Sequence, residues 1–341
     1  MSILRGKLRW SILTMTVSLV SGGCALTAGV LGIGKAQQTA STLAECADLA
    51  AGGAEVLLRS SSIGGELLAS RSAGDTPGVP SGWFRLTTPI AVAAQSNDVF
   101  IADLASRRVL KFNRGTQRAR VFTDVPDMTI DTRLYLDRAL SLYVTEPRAG
   151  QVTQFDLDGR PVRTFGAQGE TANPVATVVD DARGEILIAD QLTARINVLN
   201  RNGGLVRVIG AGTQSDALRF TSITAMASAG DQLYVVDQLA GHVVALGMNG
   251  NFRYAFGEEE LITPIAVAAD GQSRVFVSDR ADGSIKVFRG GQLQSVVGAP
   301  GDRSGIAFRG VSSLWASEDT LYVADAERGT VDIFEVQQPC R

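Results

Sequence analysis

Six acidic residues recur along the chain at nearly even intervals: Asp103, Glu146, Asp190, Asp237, Asp279 and Asp325, spaced 43, 44, 47, 42 and 46 residues apart. Carboxylates serve as general acids and bases or as metal ligands, but a reaction centre uses one or two of them. An acid in every unit marks a structural position instead. Each ends an apolar run, as in Val99-Phe100-Ile101-Ala102-Asp103 and Leu321-Tyr322-Val323-Ala324-Asp325. At a strand end such a side chain accepts hydrogen bonds from the amides of the loop that follows. The loops beyond these acids carry Arg107, Arg108, Arg148, Arg195, Arg280 and Arg328, with His242 in the remaining unit. A guanidinium binds carboxylate or phosphate through a planar fork. The set is therefore the candidate binding face for an anionic partner, with Glu327, Asp282 and the recurring acids as the competing local partners of these arginines.

The elements that must carry these loops are read from a repeat. Thr88-Pro89-Ile90-Ala91-Val92-Ala93-Ala94 returns unchanged as Thr263-Pro264-Ile265-Ala266-Val267-Ala268-Ala269, 175 residues later. That offset is four units of about 44, the length of a propeller blade. Within a unit, the first apolar strand is followed by the acid-ended strand, then a polar loop. A third strand alternates apolar and polar residues, as in Val109-Leu110-Lys111-Phe112, which is strand periodicity. Turn signals such as Asp158-Gly159 and Asn249-Gly250 then lead to a fourth strand. Four antiparallel strands repeated six times predict an all-β, six-bladed β-propeller. Ring closure removes the apolar ends that an open array would expose. Small first-strand residues (Ala91, Ala93, Ala176, Ala225, Ala266) suit the crowded centre. After the third strand of the last unit only Gln337-Gln338-Pro339-Cys340-Arg341 remain, so the missing strand is expected from before residue 84. Candidates there are the runs at Val56–Arg59 and Glu66–Ser70. In the second unit a first strand is expected near Met128-Thr129-Ile130.

The pre-strand proline, the Ile/Val-Ala-Val strand, the Leu-Tyr-Val-Ala-Asp strand end and the Val/Ile-x-x-Phe strand together resemble the NHL-repeat propellers across residues 84–336. The second unit departs from that pattern with Glu146-Pro147. The resemblance implies the six-bladed fold. It leaves activity open, because one scaffold hosts many functions. The related amidating lyases need a histidine set, whereas this chain has one histidine, which leaves a zinc site short of ligands. A calcium ion in the central channel, as in gluconolactonase-like propellers, needs converging oxygens where the first strands offer mainly Ala, Val, Thr and Ser. No Gly-x-Ser-x-Gly elbow occurs, and no Ser/His/Asp set can be assembled without His242. No catalytic residue, metal or cofactor is therefore assigned. The leading expectation is a non-enzymatic scaffold that recognises an envelope protein or an anionic polymer through one propeller face. The alternative is a metal-dependent hydrolase or lyase with its site at the channel.

The N-terminus reads as a targeting segment. Arg5, Lys7 and Arg9 precede the apolar run Trp10–Val20, then Ser21-Gly22-Gly23-Cys24. This layout resembles a bacterial lipoprotein signal at residues 1–23, with Cys24 as the lipidated residue. An uncleaved anchor or ordinary secretion are the other readings, since the uncharged run continues to Gly34. Residues 24–55 form a linker with a possible short helix at Leu43–Ala51, and residues 56–341 form the propeller. Processing at Cys24 moves the formal net charge from −3 to −6, which offers nothing to a nucleic acid. The expected setting is a monomeric propeller facing the periplasm, lipid-anchored to the outer membrane. Cys46 and Cys340 are then the remaining cysteines, and in an oxidising compartment they are expected to form a disulfide.

Two outcomes follow from the termini. Mass analysis of the mature protein should find an acylated Cys24 at its N-terminus, and Cys24→Ser should block that processing; unchanged processing would refute the lipoprotein reading. Thiol counting on the denatured, unreduced protein should find neither Cys46 nor Cys340 reactive; two free thiols would refute the bond.

Overall fold

The run that repeats in the sequence forms the innermost strand of two blades, Pro89–Gln95 and Pro264–Ala269, buried along nearly its whole length. A strand pressed by blades on both sides must be apolar on both faces. The computed structural model describes residues 56–64, 67–69, 83–166, 169–210, 218–300 and 306–337. All belong to one compact unit, residues 53–339. Cys24, Cys46 and Cys340, the signal segment and the proposed Leu43–Ala51 helix lie outside the described residues. Among the described residues no helix is long and apolar enough to cross a membrane.

Six four-stranded antiparallel sheets form the six blades. The first strands of blades one to six are Pro89–Gln95, Arg133–Leu136, Pro174–Asp180, Ile223–Ala229, Pro264–Ala269 and Val311–Ser317. The described core divides into six apolar clusters, one in each gap between neighbouring blades. The gap between blades one and two, for instance, is filled by Phe100 and Phe122 against Leu134, Val144 and Phe155. No blade owns a core, so the ring is stable only when closed.

Closure comes from the N-terminal side, as expected. Strand Val56–Gly64 pairs antiparallel with Thr330–Gln337, from Val56 opposite Gln337 to Gly64 opposite Thr330. It thereby becomes the fourth strand of blade six. The second N-terminal run forms Leu67–Ala69, paired with Trp83–Arg85 in a separate two-stranded sheet. The closing strand is held by Asp332, which is fully buried. Its carboxylate accepts from Arg59 Nη2 (2.7 Å), Ser62 Oγ (2.7 Å) and Arg328 Nη1 (2.8 Å).

One expected element is displaced. The first strand of blade two is Arg133–Leu136, not the stretch near Met128–Ile130. The earlier residues are engaged in turns: Val125 N donates to Arg107 O, Met128 N to Val125 O and Thr132 N to Thr129 O. The buried Thr132 hydroxyl accepts from Thr129 N at 3.0 Å. These bonds hold residues 125–132 as a connection, and the strand starts only beyond them.

Asp332→Ala should lower the free energy of unfolding by about 3 kcal/mol, because it leaves Arg59 and Arg328 without their carboxylate and loosens the closing strand. Arg108→Ala, which removes an exposed ion pair with Asp124, should cost under about 1 kcal/mol. Equal losses in chemical denaturation would show that the Asp332 cluster does not secure the ring.

Candidate functional site

The recurring acids define the geometry of one face. Asp103 Oδ1 accepts from Thr87 N (3.0 Å) and Thr88 N (2.6 Å), and its Oδ2 from Ser106 N (3.1 Å). Asp325 does the same with Arg309 N, Gly310 N and Arg328 N at 2.9–3.1 Å. Asp279 takes Ile262 N, Thr263 N and Ala281 N at 2.7–3.0 Å. Asp190 and Asp237 hold the matching amides. The sequence predicted bonds to the following loop. Each Asp also binds the two amides that precede its own first strand, and so pins the connection from the previous blade. Burial alone would raise the pKa values of Asp190 and Asp279. The converging amides, joined at Asp279 by Lys286, outweigh it and hold both below the ordinary aspartate value.

Blade two is the exception. Glu146 accepts from Thr153 Oγ1 at 2.9 Å, and no connecting amide is recorded on it. Burial, with the Asp127 charge adding to it, pushes its carboxyl above the ordinary value despite the Thr153 and Gln151 hydrogen bonds.

This pinning places the acid corners, the loops beyond them and the blade-to-blade connections on one face. The residue before each third strand is left-handed: Gly150, Gly241, Gly283 and Gly329 in four blades, but Arg107 (φ 53°) and Ala194 (φ 49°) in the others. Of the seven predicted binding residues, Arg108, Arg195 and His242 open the third strands rather than lying in loops, each directly opposite its acid. Arg108 Nε pairs with Asp124 at 2.9 Å, and Arg328 is committed to Asp332. Arg107 Nη1 donates to Pro126 O at 3.2 Å. His242 Nδ1 lies 3.7 Å from Glu258. Arg148, Arg195 and Arg280 are exposed and form no ion pair among the described residues. The expected competitor Asp282 is engaged instead by the buried Lys286, at 2.8 Å. Toward the opposite, hairpin-turn face Lys111 pairs with Asp98, Arg201 with Asp181, Arg207 with Glu185 and Arg253 with Asp231, while the exposed Arg118 and Arg138 form no ion pair among the described residues. Arg148, Arg195 and Arg280 are thus the arginines of the acid-corner face left without a local anion.

Two features of that face escaped the sequence reading. The first is apolar. Leu192 (74% exposed), Leu239 (77%), Ile262 (68%) and Ile130 (49%) stand in loops and connections of this face. Their sequence signal was the repeated Asp-Gln-Leu at 190–192 and 237–239. The second is Arg133. It pairs across its blade with Thr145, the residue before the acid, in the register that Ala91, Ala176, Ala225, Ala266 and Ser313 hold in the other blades. It was missed because the first strand of blade two was placed too early.

Arg133 lines a cavity of about 140 Å³ in the central channel and is the only charged residue in its lining. Walls of Ala176, Ala225, Ala227, Ala266 and Ala268 surround it. Tyr135 and Trp315 meet edge to face across the channel, ring centroids 5.6 Å apart. Trp315 Nε1 donates to Ala94 O at 2.7 Å, and Tyr135 Oη lies 3.4 Å from Ser228 Oγ and from Val179 O. Burial raises the Tyr135 pKa, so the phenol stays neutral. Arg133 Nη1 donates to Ile130 O (2.8 Å) and Thr132 O (3.0 Å). Burial lowers its pKa from the ordinary arginine value, with Asp131 opposing the shift and Arg280 adding to it. Arg280 belongs to blade five, opposite blade two in the ring, so the two guanidinium groups sense each other across the channel mouth.

No protein-family model and no curated protein sequence matches the chain. Solved structures do share its fold. Virginiamycin B lyase from Staphylococcus aureus superposes with a TM-score of 0.55 at 10% identity, over 74% of this chain and 96% of that one. A streptogramin B lyase gives 0.55 at 10% identity, over 80% and 97%. A Bacteroides thetaiotaomicron protein of unknown function gives 0.56 at 12% identity, over 74% and 70%. At these identities the likeness defines the class, a six-bladed β-propeller, and nothing finer.

Proposed function

We propose that this chain is a non-enzymatic binding scaffold of the cell envelope that docks a partner protein on its acid-corner face. The observation that carries this reading is the coincidence there of exposed Leu192, Leu239, Ile262 and Ile130 with the unpaired Arg148, Arg195 and Arg280. Apolar side chains exposed together and set among arginines are the make-up of protein interfaces, in which arginine is enriched and buried apolar anchors hold most of the affinity. The NHL-like repeat and the lipoprotein-type N-terminus support the same reading: a periplasm-facing propeller held at the outer membrane by a lipid on Cys24. The alternative, a metal-dependent hydrolase or lyase, needs ligands at the channel. The lining offers one guanidinium, a phenol, hydroxyls and apolar groups, with neither carboxylate nor imidazole, which is a poor donor set for a divalent ion.

Leu192→Asp combined with Leu239→Asp should weaken capture of the envelope partner at least about tenfold, worth roughly 1.4 kcal/mol, with the thermal midpoint unchanged because neither leucine is buried. Arg195→Ala with Arg280→Ala should slow association and flatten its salt dependence. Undiminished capture by the leucine pair would place the interface elsewhere.

A further inference from the structure

The channel mouth has the parts of a receptor for one chemical group. Arg133 is fixed by two carbonyls on Nη1 alone, the oxygens of Ile130 and Thr132. Its Nε and Nη2 have no acceptor among the described residues, and these two N–H groups form the parallel edge that a carboxylate meets bidentately. Beneath Arg133, two residues along the same strand and so on the same side of it, lies the Tyr135–Trp315 pair. Around it the walls are alanine. Arg280, in blade five opposite blade two, is exposed and lacks an ion pair among the described residues. The nearby acid Asp131 is exposed and makes no ion pair with Arg133.

The cup is small. Its 140 Å³ is about ten water-sized volumes, below the roughly 300–1,000 Å³ of a site that encloses a whole small ligand. It admits the end of a molecule whose remainder stays outside. Outside lie Ile130, whose carbonyl anchors Arg133, and Ile262, beside the Arg280 loop through the Arg280 N to Thr263 O hydrogen bond. A group with one anionic terminus and an apolar stem satisfies both the cup and its rim.

We infer that the channel mouth is a carboxylate receptor: Arg133 binds the free C-terminal carboxylate of the partner polypeptide side-on, with the last side chain resting on the Tyr135–Trp315 floor and the preceding residues lying over Ile130 and Ile262. This rests on the docking face proposed above and names the part of the partner that it reads. A lone arginine among alanines fits such a role, because at this register the other blades need only a small residue to close the ring. The Nη1 bonds tie Arg133 to the connection before it, whereas its Nε–Nη2 edge meets no acceptor among the described residues and is left for a ligand.

The test uses the purified protein and three probes in calorimetric titration: N-acetyl-leucyl-phenylalanine with a free carboxylate, the same peptide as its C-terminal amide, and hexanoate. The free acid should bind at least about tenfold tighter than the amide. Arg133→Ala, which installs the residue that four other blades carry here and so should fold, should abolish that difference. Arg133→Lys, which keeps the charge but not the fork, should leave a smaller preference. Equal binding of acid and amide, or an unaltered preference in Arg133→Ala, overturns the receptor. Hexanoate binding as tight as the peptide acid overturns the assignment to a polypeptide terminus. Because these probes bypass the partner's apolar contacts, loss of the acid preference marks failure of the cup, while partner capture that survives the Leu192/Leu239 pair marks failure of the docking face.

Discussion

The structure depends on an aspartate at the end of the second strand, in five of the six blades, accepting hydrogen bonds from two consecutive amides of the connection that arrives from the previous blade. Those amides precede the first strand and have no ladder partner of their own. Left unsatisfied at the crowded edge of the ring, each would cost the desolvation of a peptide group. One Asp serves both, and Asp103, Asp190, Asp279 and Asp325 take a third amide in the following loop. The bond sets where each blade begins and which loops share a face. Blade two tests the logic by exception. With Glu146 no longer holding the connection, the Thr132 hydroxyl and local turns do so. The strand then carries Arg133 at the register where the other blades carry Ala or Ser.

Ring closure is the second constraint, and it acts at long range. The closing strand meets its partner across 273 residues, from Arg59 to Asp332. Every apolar cluster lies between two blades, so a gap anywhere exposes core on both sides of it. The buried carboxylate of Asp332, satisfied by groups from the closing strand and from Arg328, combines this closure with an acid-corner loop. Arg328 was a candidate binding residue by sequence. Its partner makes it part of the latch. A second ion cluster, the buried Arg274 and Asp270 with the exposed Asp319, ties blades five and six at the opposite face.

On the hairpin-turn side, Lys111, Arg201, Arg207 and Arg253 find carboxylates on neighbouring turns and strands. On the acid-corner side the recurring aspartates are consumed by backbone amides, and Lys286 takes Asp279 and Asp282. The remaining arginines therefore lack local anions. A structural use of acids thus leaves a positive recognition face, and exposed leucines and isoleucines on the same loops give it apolar anchors.

The sequence by itself determined the six-bladed ring, its four-stranded blades, the structural nature of the recurring acids and the origin of the closing strand. All of these are periodic or local: alternation makes strands, Asn-Gly and Asp-Gly make turns, and a last unit one strand short must borrow one. Tertiary structure decided which arginines are free. Arg108 and Arg328 read like Arg195 and Arg280 along the chain, and only packing puts Asp124 and Asp332 beside the first pair. It also decided the role of Arg133. In sequence Arg133 follows a turn-rich connection in the least regular unit, and its place among alanines depends on cross-strand register and on five other blades converging on one axis. Repetition writes a fold into a sequence because every blade obeys the same local chemistry. A site arises where one blade departs from the others, and the meaning of that departure lies in neighbours distant along the chain.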